Sequence, residues 1–174
     1  MKYGKLEFSP AKDVLSIIGE PTRNAIQASD LDVLATEIDP TLADTAAFCE
    51  KYEIGTDVSV NCVIVKAKRG ESVTYAAVLV LATTQADVNG AVRRELNAKK
   101  ISFAPMEEAT NLTGMEYGGI NPIGLPEDWP ILVDERVVPL EKAIIGSGIR
   151  ASKLLATGNL LASLPNAKVL DIVK

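Results

Sequence analysis

Seven glycines and prolines fall within the 17 residues from Gly114 to Pro130: Gly114, Gly118, Gly119, Pro122, Gly124, Pro126 and Pro130. Neither a helix nor a strand persists through such a spacing. An irregular stretch of this length inside a compact chain tends to serve function rather than mere connection. The segment divides the chain into a longer, element-rich part and a C-terminal part of short elements.

The flanking patterns predict both helices and strands. Asp39 as N-cap with Pro40 behind it starts a helix, and Leu42, Ala46, Cys49 and Tyr52 recur on one face until Gly55. Val58 to Lys66 alternates, with Val58, Val60, Cys62, Ile64 and Lys66 on one face. Arg69-Gly70-Glu71 makes a turn into Tyr75 to Leu81, a continuous apolar run suited to a strand covered on both sides. Val88, Ala91, Val92 and Leu96 predict a second helix, weakened by Gly90. A short strand at Ile101–Phe103 and a helix from Pro105 to Leu112, stopped by Gly114, complete the first part. Strands at 131–133, 143–145 and 168–172, with a small helix near 159–164, make up the rest. There is no regular βαβ rhythm and no linker-like shift in composition. The expected fold is α+β, a single domain over residues 1–174.

Composition narrows the chemistry. The chain has 174 residues, a net charge of −5 and no histidine. That excludes Ser-His-Asp and Cys-His pairs, histidine-bound zinc and imidazole acid–base work. The two cysteines, Cys49 and Cys62, are too few for a four-thiolate metal site and read as free thiols of a reducing compartment. The first residues lack the apolar core of a signal peptide, and the longest apolar run is far short of a membrane span. A cytoplasmic location, no membrane partner and no cofactor are expected. Residues 30–57 carry eight acids against one lysine, whereas Arg93, Arg94, Lys99 and Lys100 cluster near residue 96. The acidic balance argues against a protein held on nucleic acid chiefly by counterion release, while leaving room for contact with one end of an RNA.

Four places can carry chemistry. Lys66 ends an apolar strand face, where its ammonium either snorkels to solvent or meets an anion or carbonyl. Cys62 lies on the same face beside that cation, but without a base it reads as a buried thiol rather than a nucleophile. Gly118-Gly119-Ile120-Asn121-Pro122 is either a structural turn or a stiffened loop presenting backbone N–H groups to a carbonyl. Gly146-Ser147-Gly148 begins a loose G-x-G-x-x-A pattern ending at Ala151. Only 23 residues follow, too few for a dinucleotide-binding βαβ unit, so a tight turn lining a pocket is expected.

Thr113-Gly114-x-x-Tyr117-Gly118-Gly119-Ile120-Asn121-Pro122-Ile123-Gly124, followed by Ile131-Leu132-Val133-Asp134-Glu135, resembles the YbaK/prolyl-tRNA-synthetase-associated editing-domain family. The strand ending at Lys66, the Gly146-Ser147-Gly148 turn and the closing helix and strand agree. The resemblance covers residues 32–174 and touches the first 30 only weakly. It implies a mixed, partly barrel-like sheet with surrounding helices. It also implies hydrolysis of the ester of mischarged tRNA, most often tRNA for proline carrying alanine or cysteine, with a substrate group in place of a protein nucleophile. By that resemblance Lys66, Gly118 and Gly119 are catalytic, and Ile120, Asn121, Pro122, Gly146, Ser147 and Gly148 bind substrate. The partners implied are the 3′ end of mischarged tRNA and an aminoacyl-tRNA synthetase. Asn121 stands where serine is common, Ala67 where some alanine-editing members have asparagine, and Lys153 near an aspartate of the cysteine-editing type. Two alternatives accompany this reading: a non-catalytic module binding aminoacyl-nucleotides, tRNA or a synthetase, and a Cys62-dependent hydrolase.

Overall fold

A computed structural model describes residues 1–174. The N-terminal segment forms three two-residue strands, β1 (Lys2–Tyr3), β2 (Leu6–Glu7) and β3 (Ser9–Pro10), and a short helix α1 (Glu20–Gln27) with Pro21 in its first turn. β4 (Leu34–Glu37) and α2 (Thr45–Tyr52) follow, then the long hairpin β5 (Val60–Arg69) and β6 (Ser72–Leu81). A π-helical turn, Val88–Val92, runs into α3 (Arg93–Glu95). β7 (Lys100–Phe103) and α4 (Met106–Thr113) precede the irregular segment, and β8 (Ile131–Asp134), β9 (Ala143–Gly146), β10 (Ser152–Ala156), α5 (Gly158–Ala162) and β11 (Ala167–Leu170) follow it.

Two main sheets result. One, in the order β3-β4-β10-β9, is antiparallel throughout. The other, β11-β8-β6-β5-β7, mixes antiparallel β6-β5-β7 with parallel β6-β8 and β8-β11. They meet at a single bridge between Ser59 and Ile144, which bends the assembly towards a barrel without closing it. Period-2 alternation along β5 sorts its side chains: Val60 and Ile64 join the largest core with Ala77, Leu79 and Ile145, while Val65 packs with Val78, Val88 and Val92 on the opposite face. Tyr75 stacks on Trp129, centroids 5.4 Å apart, and ties the irregular segment to this core.

Several elements differ from the sequence expectation. The helix expected from Asp39 is split. The Asp39 carboxylate caps a 3₁₀ turn, Pro40–Leu42, and α2 begins only after Asp44. It ends at Glu53, which takes the left-handed conformation (φ 55°) before Gly55 is reached. The helix expected from Val88 to Leu96 forms only as a π-helical turn running into three α-helical residues, and Gly90 leaves room for the Asp87 carboxylate inside that turn. A Cβ there would lie 2.2 Å from the Asp87 carboxylate, which accepts the Ala91 N–H and widens the turn into a π-helix. Residues 152–156 form a buried strand where no element was anticipated, and β9-β10 is an antiparallel hairpin with Lys153 opposite Gly146. That pairing excludes a dinucleotide-type crossover after Gly146. The N-terminal segment, nearly silent in sequence, supplies Phe8, Ile18 and Ile26 to the cores.

Candidate active site

Backbone hydrogen bonds tie the irregular segment to the β9-β10 turn. Glu116 N–H donates to Gly148 O at 2.9 Å, and Gly148 N–H to Gly119 O at 2.7 Å. The two loops approach so closely that side chains are barred from the contact. A Cβ on Gly119 would lie 2.7 Å from the Ile149 carbonyl oxygen, and one on Gly146 would lie 2.5 Å from Gly119 O. Beneath them Asn121 is fully buried. Its Nδ2 donates to Thr22 Oγ1 (2.9 Å), its Oδ1 accepts the Ile123 N–H (2.8 Å), and Thr22 Oγ1 donates to Ile123 O (2.8 Å). Ser147, equally buried, donates to the carbonyls of Ile149 and Ser152, both at 3.1 Å.

A cavity of about 430 Å³ opens where the two sheets meet. Ser59 through Ile64 line one wall, Ile144, Ile145 and Gly146 a second, and Tyr117, Gly118 and Ile120 a third. Asp44, Thr45 and Phe48 come from α2 and its N-cap, and Phe103, Ala104 and Ala109 from the β7-α4 corner. Most of these side chains are apolar, as in small-ligand sites of this size. The N–H groups of Gly118 and Ile120 donate to no acceptor within the chain. Asn61 Oδ1 is held by the Thr45 hydroxyl at 2.9 Å.

Lys153 is the cavity's buried cation. Its residue is 7% exposed, its Nζ lies 5.2 Å from the Phe48 ring centroid, and it enters no ion pair. Burial pushes its ammonium down to about 8, with the Arg150 charge adding to the effect and Asp44 opposing it. Sequence reasoning noted Lys153 only by its position. The signal that could have found it is the run Ser152–Ala156, where one lysine interrupts a buried strand.

Of the residues singled out in the sequence, Gly118, Ile120 and Gly146 line the cavity. Gly119, Asn121, Ser147 and Gly148 hold the two loops in register behind it, and Pro122 follows in the same buried stretch. Lys66 is not brought to the cavity. Its Nζ lies 2.9 Å from both carboxylate oxygens of Glu108, and the Tyr75 hydroxyl donates to the same carboxylate at 2.6 Å. The Glu108 hydrogen bonds hold the Lys66 ammonium above its usual range. Cys62 does line the cavity, but desolvation pushes its thiol up to about 12, so it is not an activated nucleophile.

Fold and site together define an α+β domain with an apolar-lined cavity closed on one side by interlocked backbone. The chain belongs to the aminoacyl-tRNA editing domain family, whose model matches residues 39–164. Solved structures share the fold at low identity. A candidate trans-editing enzyme for prolyl-tRNA synthetase matches with a TM-score of 0.72 and 20% identity, over 89% of this chain and 98% of that one. A hypothetical protein, APE2540, matches with a TM-score of 0.79 and 21% identity, over 89% and 100%. A scaffold protein from computational epitope grafting matches with a TM-score of 0.75 and 19% identity, over 90% and 97%. No curated protein matches the sequence. No helix is long and apolar enough to cross a membrane.

Proposed function

We propose that the chain is a trans-editing aminoacyl-tRNA deacylase that cleaves the ester of mischarged tRNA for proline carrying alanine or cysteine. The observation that carries this reading is the cavity wall at Gly118 and Ile120, where two backbone N–H groups lack acceptors beside an unpaired Lys153. The ester carbonyl would sit against these donors, and the apolar wall of Val60, Ile64 and Ile145 would take a small aminoacyl side chain. Water adds to the carbonyl carbon, and the resulting oxyanion is stabilised by the preorganised donors. Collapse breaks the ester C–O bond, releasing the amino acid and restoring the ribose hydroxyl, which takes up the proton. The neighbouring ribose hydroxyl, or a cysteine thiol of the substrate, guides the water, because the chain offers neither imidazole nor thiolate for that step. Lys66 and the Glu108 carboxylate do not line the cavity whereas Lys153 does, which supports Lys153 as the cation nearest the ester.

A panel of mischarged tRNAs incubated with purified protein tests this. Ester loss above background on alanyl- or cysteinyl-tRNA for proline, with the prolyl ester spared, is expected; no loss on any substrate by folded protein overturns it. The second reading, a non-catalytic module binding aminoacyl-nucleotides or a synthetase, is favoured by one feature: the only carboxylate lining the cavity, Asp44, is solvent-exposed and paired with Arg150. Binding of a non-hydrolysable aminoacyl-adenosine without turnover would support it.

A further inference from the structure

The strand that leads into the cavity also leads out of it to a cluster of positive charge without ion pairs. Lys68 and Lys100 are direct cross-strand partners in β5 and β7, and both are exposed. Like charges placed opposite each other destabilise a sheet. Here neither lysine has a carboxylate partner. The pair lines an open groove together with Arg93 and Lys99; a second groove shares Arg93 and Lys99 and adds Arg94, and no acidic side chain lines either. Arg93, Arg94 and Lys99 form no ion pairs. Glu108, which also feels the Lys68 charge, is engaged by Lys66 and Tyr75, and Glu95 by Lys168. A chain of net charge −5 thus concentrates five cations without ion pairs around one edge.

At the other end of β7, Phe103 is 62% exposed yet lines the cavity, and Tyr117, 54% exposed, lines it too. Three residues of strand, about 10 Å, separate Phe103 from Lys100, and the odd spacing turns their side chains to opposite faces of β7, an edge strand that a ligand can reach from both sides. Exposed aromatic faces beside a cationic track are how unpaired nucleotides are held: bases stack on the rings while phosphates follow the charges.

We infer that the β7 edge is an RNA-docking surface: Lys68, Lys100, Arg93, Arg94 and Lys99 hold the phosphates of a stem, and Phe103 with Tyr117 stacks the unpaired 3′ bases at the cavity mouth. This rests on the deacylase reading for what the cavity does, but not for what the edge binds. It also gives the acidic chain a local route to RNA that its overall charge conceals.

The test uses fluorescence anisotropy with labelled uncharged tRNA and a short RNA hairpin ending in unpaired CCA, over a range of salt. Lys68→Glu/Lys100→Glu is expected to weaken both by about tenfold or more and to make the salt dependence shallower by about one unit of slope per contact removed. Arg93→Ala/Arg94→Ala/Lys99→Ala, which alters only exposed side chains, does the same in the same direction if the first variant folds poorly. Phe103→Ala weakens the hairpin but leaves the salt slope unchanged. In hydrolysis, the cation variants lose rate on full-length mischarged tRNA and keep it on an aminoacylated CCA trinucleotide. RNA binding with these dependences but no hydrolysis on any substrate upholds the docking surface and defeats the deacylase reading. Hydrolysis with unchanged tRNA binding in both cation variants overturns the docking surface alone. Equal competition by an acidic polypeptide overturns it in favour of a protein partner.

Discussion

The Lys66 ammonium and the Glu108 carboxylate face each other across β5 and α4 with both Nζ–O distances at 2.9 Å. The Tyr75 hydroxyl completes the cluster, and hydrogen bonds from Tyr75 and then Lys66 hold the Glu108 carboxyl below its usual range. Such a group contributes stability above its unfolded-state value, near 4.5, and that contribution is lost as pH falls through the folded value. Glu108→Gln should therefore flatten the acid limb of a urea-unfolding series while leaving neutral hydrolysis close to wild type. Lys66→Ala should lower the melting temperature and also spare turnover. Loss of turnover with an unchanged melting temperature would return Lys66 to the reacting centre.

Lys153 titrates with the opposite consequence. Its ammonium is depressed from an ordinary 10.5 to about 8 by burial, so above about 8 the unfolded chain binds more protons than the folded one. Stability should rise from about pH 8 to about pH 9, by up to about 1.4 kcal/mol per pH unit. Above pH 9 the raised Cys62 thiol works against it, because the unfolded thiol then ionises first. Lys153→Met should remove the rise, relieve a desolvation cost of about 3 kcal/mol below pH 8, and abolish hydrolysis. Parallel pH profiles of wild type and variant would show that the ammonium is solvated.

Cys62→Ser should retain deacylation, and iodoacetamide should leave native protein active at neutral pH. With the thiol near 12, on the order of one molecule in 10⁵ carries a thiolate at pH 7. Rapid inactivation that Cys62→Ser prevents would contradict this.

Asn121→Ala should cost about 2–3 kcal/mol, because it leaves the Ile123 N–H buried without its acceptor and takes a donor from Thr22. Gly146→Ala should reduce hydrolysis more than stability, since its Cβ would meet the Gly119 carbonyl at 2.5 Å and push the two loops apart. Urea unfolding alongside single-turnover deacylation separates the two effects. A Gly146→Ala protein with wild-type turnover would mean that loop spacing does not set the site.

Local physical chemistry already determined a good deal of this molecule. The β5-β6 hairpin follows from alternation around Gly70, and α4 ends at Gly114, which adopts φ 68°, as a C-terminal glycine predicts. The glycine and proline spacing of residues 114–130 excludes regular structure, and none forms there. The missing histidine restricts the chemistry, and the Gly118–Pro122 motif supplies Gly118 and Ile120 to one wall of the cavity. Each of these depends on residues within a few positions of one another.

What only the tertiary structure decided involves partners far apart in sequence. Lys66 looks available for an anion in its own strand, but its anion is Glu108, 42 residues away. Asn121 looks like a ligand contact in its loop, but its amide is taken by Thr22, 99 residues away, on a helix the sequence barely signals. Lys153 is an ordinary cation until β9 pairs with β10 and turns it into a half-walled, desolvated cavity. Periodicity reports which way a side chain points; which group meets it there is settled only when distant segments pack, because desolvation and pairing, not residue type, set what a lysine or an amide can do.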